Sequence, residues 1–397
     1  MDELLEISAQ LIRRVPTDFH RSLYHRIPWN NRLIGLKGAR GTGKTTLLLQ
    51  YLKSLDLPNR EKVYVSLDDI YFTDASLVDF GKSFYQAGGK ILALDEVHKY
   101  PSWTREIKNL YDRYADLKIV FTGSSIIEIT KHQGDLSRRA LMYELQGLSY
   151  REYLHFLHHQ EYPVIALDDI LHPDFEMGDY FSPDFKPLIH FQSYLKTGYY
   201  PFAMEGLSEY KMRLRQLSRA VVENDMAEIK GFDIRQAKKI LQLLNIIAQQ
   251  VPFKPNLSSL AQKTSIHRNS LNNYLYFLNE ARLIRMLYHK NYSVSTLQKP
   301  EKIYLDNTNL VYALSLQEPK SGSIRETFFQ NQMSYLHTVR ASPQADFVVD
   351  NTYTFEIGGR SKTSKQINNL TNAWVVKDDI SFPTQRSLPL WIFGFLY

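Results

Sequence analysis

Short apolar runs and stretches of helical period alternate along the first third of the chain. Leu4, Leu5, Ile7, Leu11 and Ile12 recur at helical spacing and predict an opening helix, after which Arg21 to Trp29 leads into a first strand. The runs Leu33-Ile34-Gly35-Leu36, Lys62 to Leu67, Lys90 to Leu94 and Lys118 to Phe121 are brief and mostly apolar, as strands buried on both faces must be. Helical patterning fills the gaps at Thr46 to Leu52 and Ser76 to Tyr85. Strand and helix in alternation predict a parallel sheet with helices on both faces, because parallel neighbours need a crossover between them.

After Leu148 the pattern changes. The stretch to Tyr200 is rich in aromatics and histidine, and Met212, Leu214, Leu217 and Val221 mark a long helix beyond Tyr210, so 149–235 reads as a helical lid or linker. His155, His158 and His159 have no carboxylates at ligand spacing and read as packed or solvated side chains. Ala237 to Gln250 is an apolar helix, Leu257 to Thr264 a short one, Ser265-Ile266 a turn, and His267 to Leu278 a third helix before the strand Leu283 to Tyr288. Three helices and a strand pair over 236–295 predict a winged helix-turn-helix. From Gly322 an α/β pattern returns, with a helix over Ile324 to Leu336 and strands at Ala345 to Val349, Tyr353 to Ile357, Ala373 to Val376 and Leu390 to Phe393. Residues 296–397 are then a second, small α/β domain, and 1–148 the first.

Composition narrows the function classes. With 397 residues, 44% hydrophobic and 23% charged, the chain is of ordinary globular make-up and can bury sizeable cores. A net charge of +6 is a modest excess over this length, as compatible with a solvated surface as with a polyanionic partner. The absence of cysteine excludes disulfides, thiolate zinc sites and cysteine nucleophiles, and suits a reducing compartment. The start Met1-Asp2-Glu3-Leu4 has no signal pattern, and no apolar run approaches the ~18 residues of a spanning helix. A soluble cytoplasmic protein without membrane contact is expected.

The most specific motif is Gly38-Ala39-Arg40-Gly41-Thr42-Gly43-Lys44-Thr45, which fits G-x-x-x-x-G-K-[ST] between a predicted strand and a predicted helix that opens on Thr46. Glycines let successive backbone N–H groups face an anion, the helix N-terminus adds positive potential, Lys44 reaches β- and γ-phosphates, and the Thr45 hydroxyl is a magnesium ligand. The run Lys90 to Glu96 ends in Asp95-Glu96, a Walker B pattern in which Asp95 holds the metal and Glu96 polarises the attacking water. Thr122 and Ser124 follow the next strand and are candidate contacts to the γ-phosphate or the water, although residues of this kind also serve as caps and turn formers. Arg138 and Arg139 are solvated loop arginines or a finger offered to a neighbouring subunit's nucleotide.

Two further constellations lie downstream. His267, Arg268, Asn269, Asn272 and Asn273 fall outside the apolar stripe of the third helix, and Arg and Asn can bridge base edges in the major groove, while such modules also dock proteins. Glu326 on a helix, with Asp346 and Glu356 on strands, resembles the carboxylate core of PD-(D/E)xK nucleases and forms a second candidate Mg²⁺ site. Strand parity puts the expected lysine where Gly358 stands. Arg360 and Lys362 have the right parity but lie further along, and substitute only if Gly358-Gly359 bends the chain, so a degenerate, non-cleaving domain is favoured.

The signatures in order, namely Gly38 to Thr46, Leu94-Asp95-Glu96-Val97-His98-Lys99 with Trp103, Phe121-Thr122-Gly123-Ser124-Ser125, Ser137-Arg138-Arg139 and Leu148 to Leu154, resemble bacterial and archaeal AAA-type ATPases of the AAA+ superfamily. Lys302 to Asp306 and Phe355 to Thr363 look like that family's C-terminal part, a domain of unknown function. The resemblance implies an α/β P-loop NTPase sheet, then a helical and winged-helix region and a small restriction-endonuclease-like domain. It also implies ATP and Mg²⁺ as ligands and ADP as product, while a homo-oligomer follows only if Arg138 or Arg139 serves as the finger. Three functions follow: an ATPase that moves a half of the chain bound to double-stranded DNA, a nucleotide-gated switch or scaffold with slow turnover that binds proteins, or an ATP-regulated nuclease.

Overall fold

Side-chain alternation along the strands sorts the first sheet into two apolar faces. The computed structural model describes residues 1–123, 136, 138–226, 232–289, 299–384 and 386–397, without the Asn269 side chain, and these divide into two units, Met1–Gly147 and Leu148–Tyr397. In the first, β1 (Leu33–Lys37), β2 (Lys62–Ser66), β3 (Ile91–Asp95), β4 (Lys118–Gly123) and β5 (Leu141–Glu144) form one sheet in the order β2-β3-β4-β1-β5, every pair parallel. Its helices include α1 (Asp2–Arg14), α2 (Lys44–Ser54), α3 (Leu77–Gln86) and α4 (Trp103–Arg113). Leu33, Val63, Val65, Leu92, Leu94 and Ile119 pack with Phe80 and Phe84 of α3 and Ile107 and Leu110 of α4. Their strand neighbours Ile34, Tyr64, Ala93 and Val120 pack on the other face with Leu47, Leu48 and Leu52 of α2. Burial of both faces is why these strands are continuous apolar runs.

At the sheet edge, Ser8 Oγ of α1 accepts a hydrogen bond from Tyr64 N of β2 at 2.8 Å, which satisfies a donor an edge strand would otherwise expose. On the opposite edge lies β5, whose Leu141 is exposed and whose Met142 to Glu144 are half-buried. The order places β4 between β1 and β3, so the loop after β1 and the acid closing β3 both lie at the carboxyl edge, where open α/β sheets bind ligands.

The second unit takes in the segments expected at 149–235, 236–295 and 296–397. A Ser149/Glu152 capping box starts α5 (Tyr150–His158), and α6 (Phe191–Thr197) and α7 (Tyr210–Ala220) follow. Then α8 (Ala237–Ala248), α9 (Leu257–Thr264) and α10 (Arg268–Glu280) precede the antiparallel pair β6 (Ile284–Leu287) and β7 (Lys302–Leu305). Leu271, Leu275 and Leu278 of α10 are buried, while His267, Arg268 and Asn273 are exposed and Asn272 is half-buried. After α11 (Thr308–Leu314) and α12 (Ser321–Met333) comes a mixed sheet of β8 (Val339–Ala341), β9 (Phe347–Val349), β10 (Tyr353–Gly358), β11 (Ala373–Lys377) and β12 (Ser387–Pro389), ordered β12-β11-β10-β9-β8.

Two expectations are corrected here. Leu390 to Phe393 is part of a 3-10 helix, Leu390–Phe395, and not a strand; an apolar run buried on every side carries no period to tell the two apart. Asp346 lies just before β9, not within it. Among the described residues no helix is long and apolar enough to cross a membrane.

Candidate nucleotide-binding site

The loop from β1 to α2 turns at Gly41 and Gly43, whose φ values of 81° and 94° are closed to most side chains. Gly38 is needed for a different reason, since a Cβ there would stand 2.3 Å from the Leu145 carbonyl oxygen. Gly43 is the residue before α2, so the N–H groups of the first helical turn open onto the loop. Lys44 is buried, and its ammonium donates to the carbonyl oxygens of Gly38 and Ala39 at 3.0 and 2.9 Å. Thr42 Oγ1 donates to the Ala39 carbonyl at 2.9 Å, Arg40 is half-buried and Thr46 is exposed.

Arg21, which no sequence motif flags, braces this loop. Its buried guanidinium donates to the carbonyl oxygens of Thr42 at 2.8 Å, Gln146 at 2.8 Å and Gly147 at 2.9 Å. Arg21→Ala leaves three buried acceptors short of a donor, at about 1–3 kcal/mol each. The urea midpoint and the nucleotide affinity of the variant should both fall. Arg21→Lys should recover only part of the loss, because an ammonium cannot reproduce the guanidinium fork. An unchanged midpoint in Arg21→Ala would show that the brace contributes nothing.

The acid of β3 closes the site from the other side. Asp95 is buried, and its carboxylate accepts hydrogen bonds from Thr45 Oγ1 at 2.6 Å, Tyr64 OH at 2.9 Å, the Glu96 backbone N–H at 3.1 Å and Thr122 Oγ1. Burial, then the Asp95 charge, pushes the Tyr64 phenol far above its ordinary range, so it stays a neutral donor. Thr45 and Asp95 thus bring a hydroxyl and a carboxylate oxygen side by side, a hard-oxygen pair that suits Mg²⁺. Glu96 follows with its backbone in the left-handed region, φ 50° and ψ 40°, and opens the 3-10 turn Val97–Lys99. Within that turn the His98 side chain is fully buried, with Nδ1 3.3 Å from Glu96 Oε2. Burial, then the charges of Lys99, Lys44 and Arg40, drives this imidazole down to about 3, so it is neutral. Tyr64 is a polar residue inside an apolar-patterned strand, a weak signal that becomes meaningful only once β2 and β3 are paired.

Ser124, with Ser125, lies outside the described residues. Arg139 makes a two-point pair with Asp112 of its own chain, Nε at 2.9 Å and Nη2 at 3.1 Å, whereas Arg138 is exposed. The second candidate site, Glu326, Asp346 and Glu356, has lysines among its carboxylates. Among the described residues no group of three or more His, Cys, Asp or Glu side chains is placed to hold a metal ion. The Lys302 ammonium lies 3.4 Å from Glu326 Oε2 and 3.3 Å from Asp346 Oδ1, Tyr304 OH donates to Glu326 at 2.6 Å, and Lys362 pairs with Glu356. Lysines balance these carboxylates where a cation was expected. The chain does turn back after Gly358, since a Cβ there would lie 2.4 Å from Lys362 Cβ. Burial first, then Asp346, pushes the Glu326 carboxyl up.

Comparison with known proteins bears on the first unit most directly. Residues 30–154 match the family model of an AAA domain, and residues 189–321 that of a domain of unknown function (DUF8612). The chain is 30% identical over 286 residues to the uncharacterized protein MJ1637 of Methanocaldococcus jannaschii, an alignment covering 68% of this chain and 60% of that protein. It is 21% identical over 341 residues to the uncharacterized protein MJ1544 of the same organism, covering 80% and 72%. The chain therefore spans less than two thirds of the length of MJ1637. Among solved structures it is similar to the Walker-type ATPase paby2304 of Pyrococcus abyssi, at 14% identity and a TM-score of 0.45, over 77% of this chain and 99% of that one. The segment 30–154, which carries the P-loop and the acidic strand tip, is the part of the chain that matches an AAA domain.

Proposed function

We propose that the first unit binds Mg-ATP at its carboxyl edge, hydrolyses it to ADP and phosphate, and uses the nucleotide state to reposition a second unit that contacts duplex DNA. The observation that carries the ATP reading is the 2.6 Å hydrogen bond from Thr45 at the start of α2 to Asp95 at the end of β3, beside the buried Lys44. In this reading the loop 38–45 cradles the phosphates through its N–H groups, and Lys44 neutralises β- and γ-phosphate charge. Magnesium, held by Thr45 and Asp95, would offset the negative charge that gathers on the transferring group. Glu96 orients the attacking water, and Thr122 keeps Asp95 aligned while offering a hydroxyl at the same edge. Arg138, the exposed member of its pair, is the arginine a neighbouring copy in a homo-oligomer could use.

DNA contact is assigned to α10 as the outer helix of a winged helix-turn-helix formed by α8, α9, α10 and the β6–β7 pair. Support comes from the exposed Arg268 and Asn273 and the half-buried Asn272, set over a leucine core; Asn269 belongs to the same proposed set. An ATP-regulated nuclease stays the second reading, because the bend after Gly358 brings Lys362 to Glu356, the pairing that strand parity alone denied it.

ATP turnover measured with and without duplex DNA, together with duplex affinity across salt concentrations, tests this reading. We expect stimulation by duplex DNA, an affinity that falls steeply with salt, and a log–log slope that Arg268→Ala reduces by about 1. Hydrolysis indifferent to DNA would remove the DNA half of the proposal. Tight ATP binding with no hydrolysis would favour the nucleotide-gated switch.

A further inference from the structure

A buried imidazole with unused hydrogen-bonding capacity sits beside the carboxylate that the proposed mechanism depends on. We infer that His98 is a positioning residue for Glu96, its neutral Nδ1–H directing the carboxylate that orients the attacking water.

Three observations converge on this pair. Neither ring nitrogen of His98 has a hydrogen-bond partner among the described residues, although the side chain is fully buried. Buried polar groups are rarely left so, and one that is points to a contact made in another state of the site. Glu96 Oε2 stands 3.3 Å from Nδ1, within hydrogen-bonding distance, yet no bond is made there. The turn itself brings them together: Glu96 is in the left-handed region, and Lys99 N donates to the Glu96 carbonyl at 2.9 Å, which folds residue 98 back over residue 96. Backbone strain at a functional carboxylate is the kind retained where geometry matters. A neutral imidazole suits the task, since a cation there would bind the carboxylate as an ion pair and weaken it as a base.

The inference rests on Glu96 being the water-orienting residue, and a double-mutant cycle separates the two claims. His98→Phe fills the volume without a nitrogen, and His98→Asn restores an amide N–H near the Nδ1 position. We expect His98→Phe to lower kcat by about 10- to 100-fold with KM and ATP-analogue affinity unchanged, His98→Asn to recover most of the rate, and His98→Phe to add nothing in a Glu96→Gln background. An equal loss from His98→Phe in both backgrounds, or a loss confined to nucleotide affinity, would overturn the positioning role while leaving Glu96 in place. If Glu96→Gln alone turns over ATP normally, the Glu96 assignment fails and the inference falls with it.

Discussion

Lys44→Ala is expected to leave the chain folded and stop ATP turnover, with phosphate release reduced by at least about 10²–10³-fold, the scale of losing one preorganised charge from a transition state. The ammonium is the buried cation of the loop, and it is held by loop carbonyls, those of Gly38 and Ala39. These carbonyl acceptors help to hold the ammonium at the loop that would meet an incoming polyphosphate. Removing it leaves two carbonyls with one donor fewer, at the mouth of a loop already shaped by Gly41 and Gly43. The structural cost is therefore modest beside the catalytic one. Lys44→Met, which keeps the stem, should be equally inactive and closer to the parent in stability. Steady-state phosphate release and urea unfolding, run on the same preparations, separate the two effects. Turnover in Lys44→Ala within a factor of about 3 of the parent would mean that phosphates are not bound here.

Asp95→Asn is expected to have the second largest effect, and a different signature. The carboxylate gathers four donors, from Thr45, Tyr64, Thr122 and the Glu96 N–H. An amide keeps the shape but turns one acceptor oxygen into a donor, which then faces donors that have nowhere else to turn. Turnover should fall by about 10³-fold and lose its magnesium dependence. Asp95→Ala should also unfold earlier, because the buried Tyr64 and Thr122 hydroxyls are left without an acceptor at about 1–3 kcal/mol each. For a unit of this size that is a drop of about 2–4 °C in Tm per kcal/mol. A magnesium titration of turnover and a thermal melt check the two halves, and an unshifted magnesium dependence would remove Asp95 as the ligand.

What the chain disclosed in advance follows from where each signal resides. The central strands were legible because burial on both faces forces runs such as Lys90 to Leu94, and the phosphate loop because glycine geometry and a fixed lysine leave little latitude. β5 was not legible although Ala140 to Tyr143 is apolar, because so short a run directly after Arg138-Arg139 has neither a strand's alternation nor a turn signal to mark it. Arg21 was invisible for another reason: its partners, the carbonyls of 42, 146 and 147, are backbone groups far away in sequence. The carboxylates Glu326, Asp346 and Glu356 stand out in the sequence and Lys362 is named there only on condition of a bend, while nothing points to Lys302 as their partner. Lys302 is contributed by β7, outside the segment that carries the acids, and strand parity alone could not show the chain turning back after Gly358 to bring Lys362 to Glu356. Local pattern revealed elements and motifs; pairings between distant segments had to come from the fold.

Calorimetric titration of the full chain with a non-hydrolysable ATP analogue, with and without Mg²⁺, tests the central claim most directly. The account predicts one saturable site per chain, tightened by Mg²⁺ in the parent protein, no longer tightened by it in Asp95→Asn, and lost in Lys44→Ala. Binding that survives Lys44→Ala unchanged, or a folded parent protein that takes up no analogue, would contradict it.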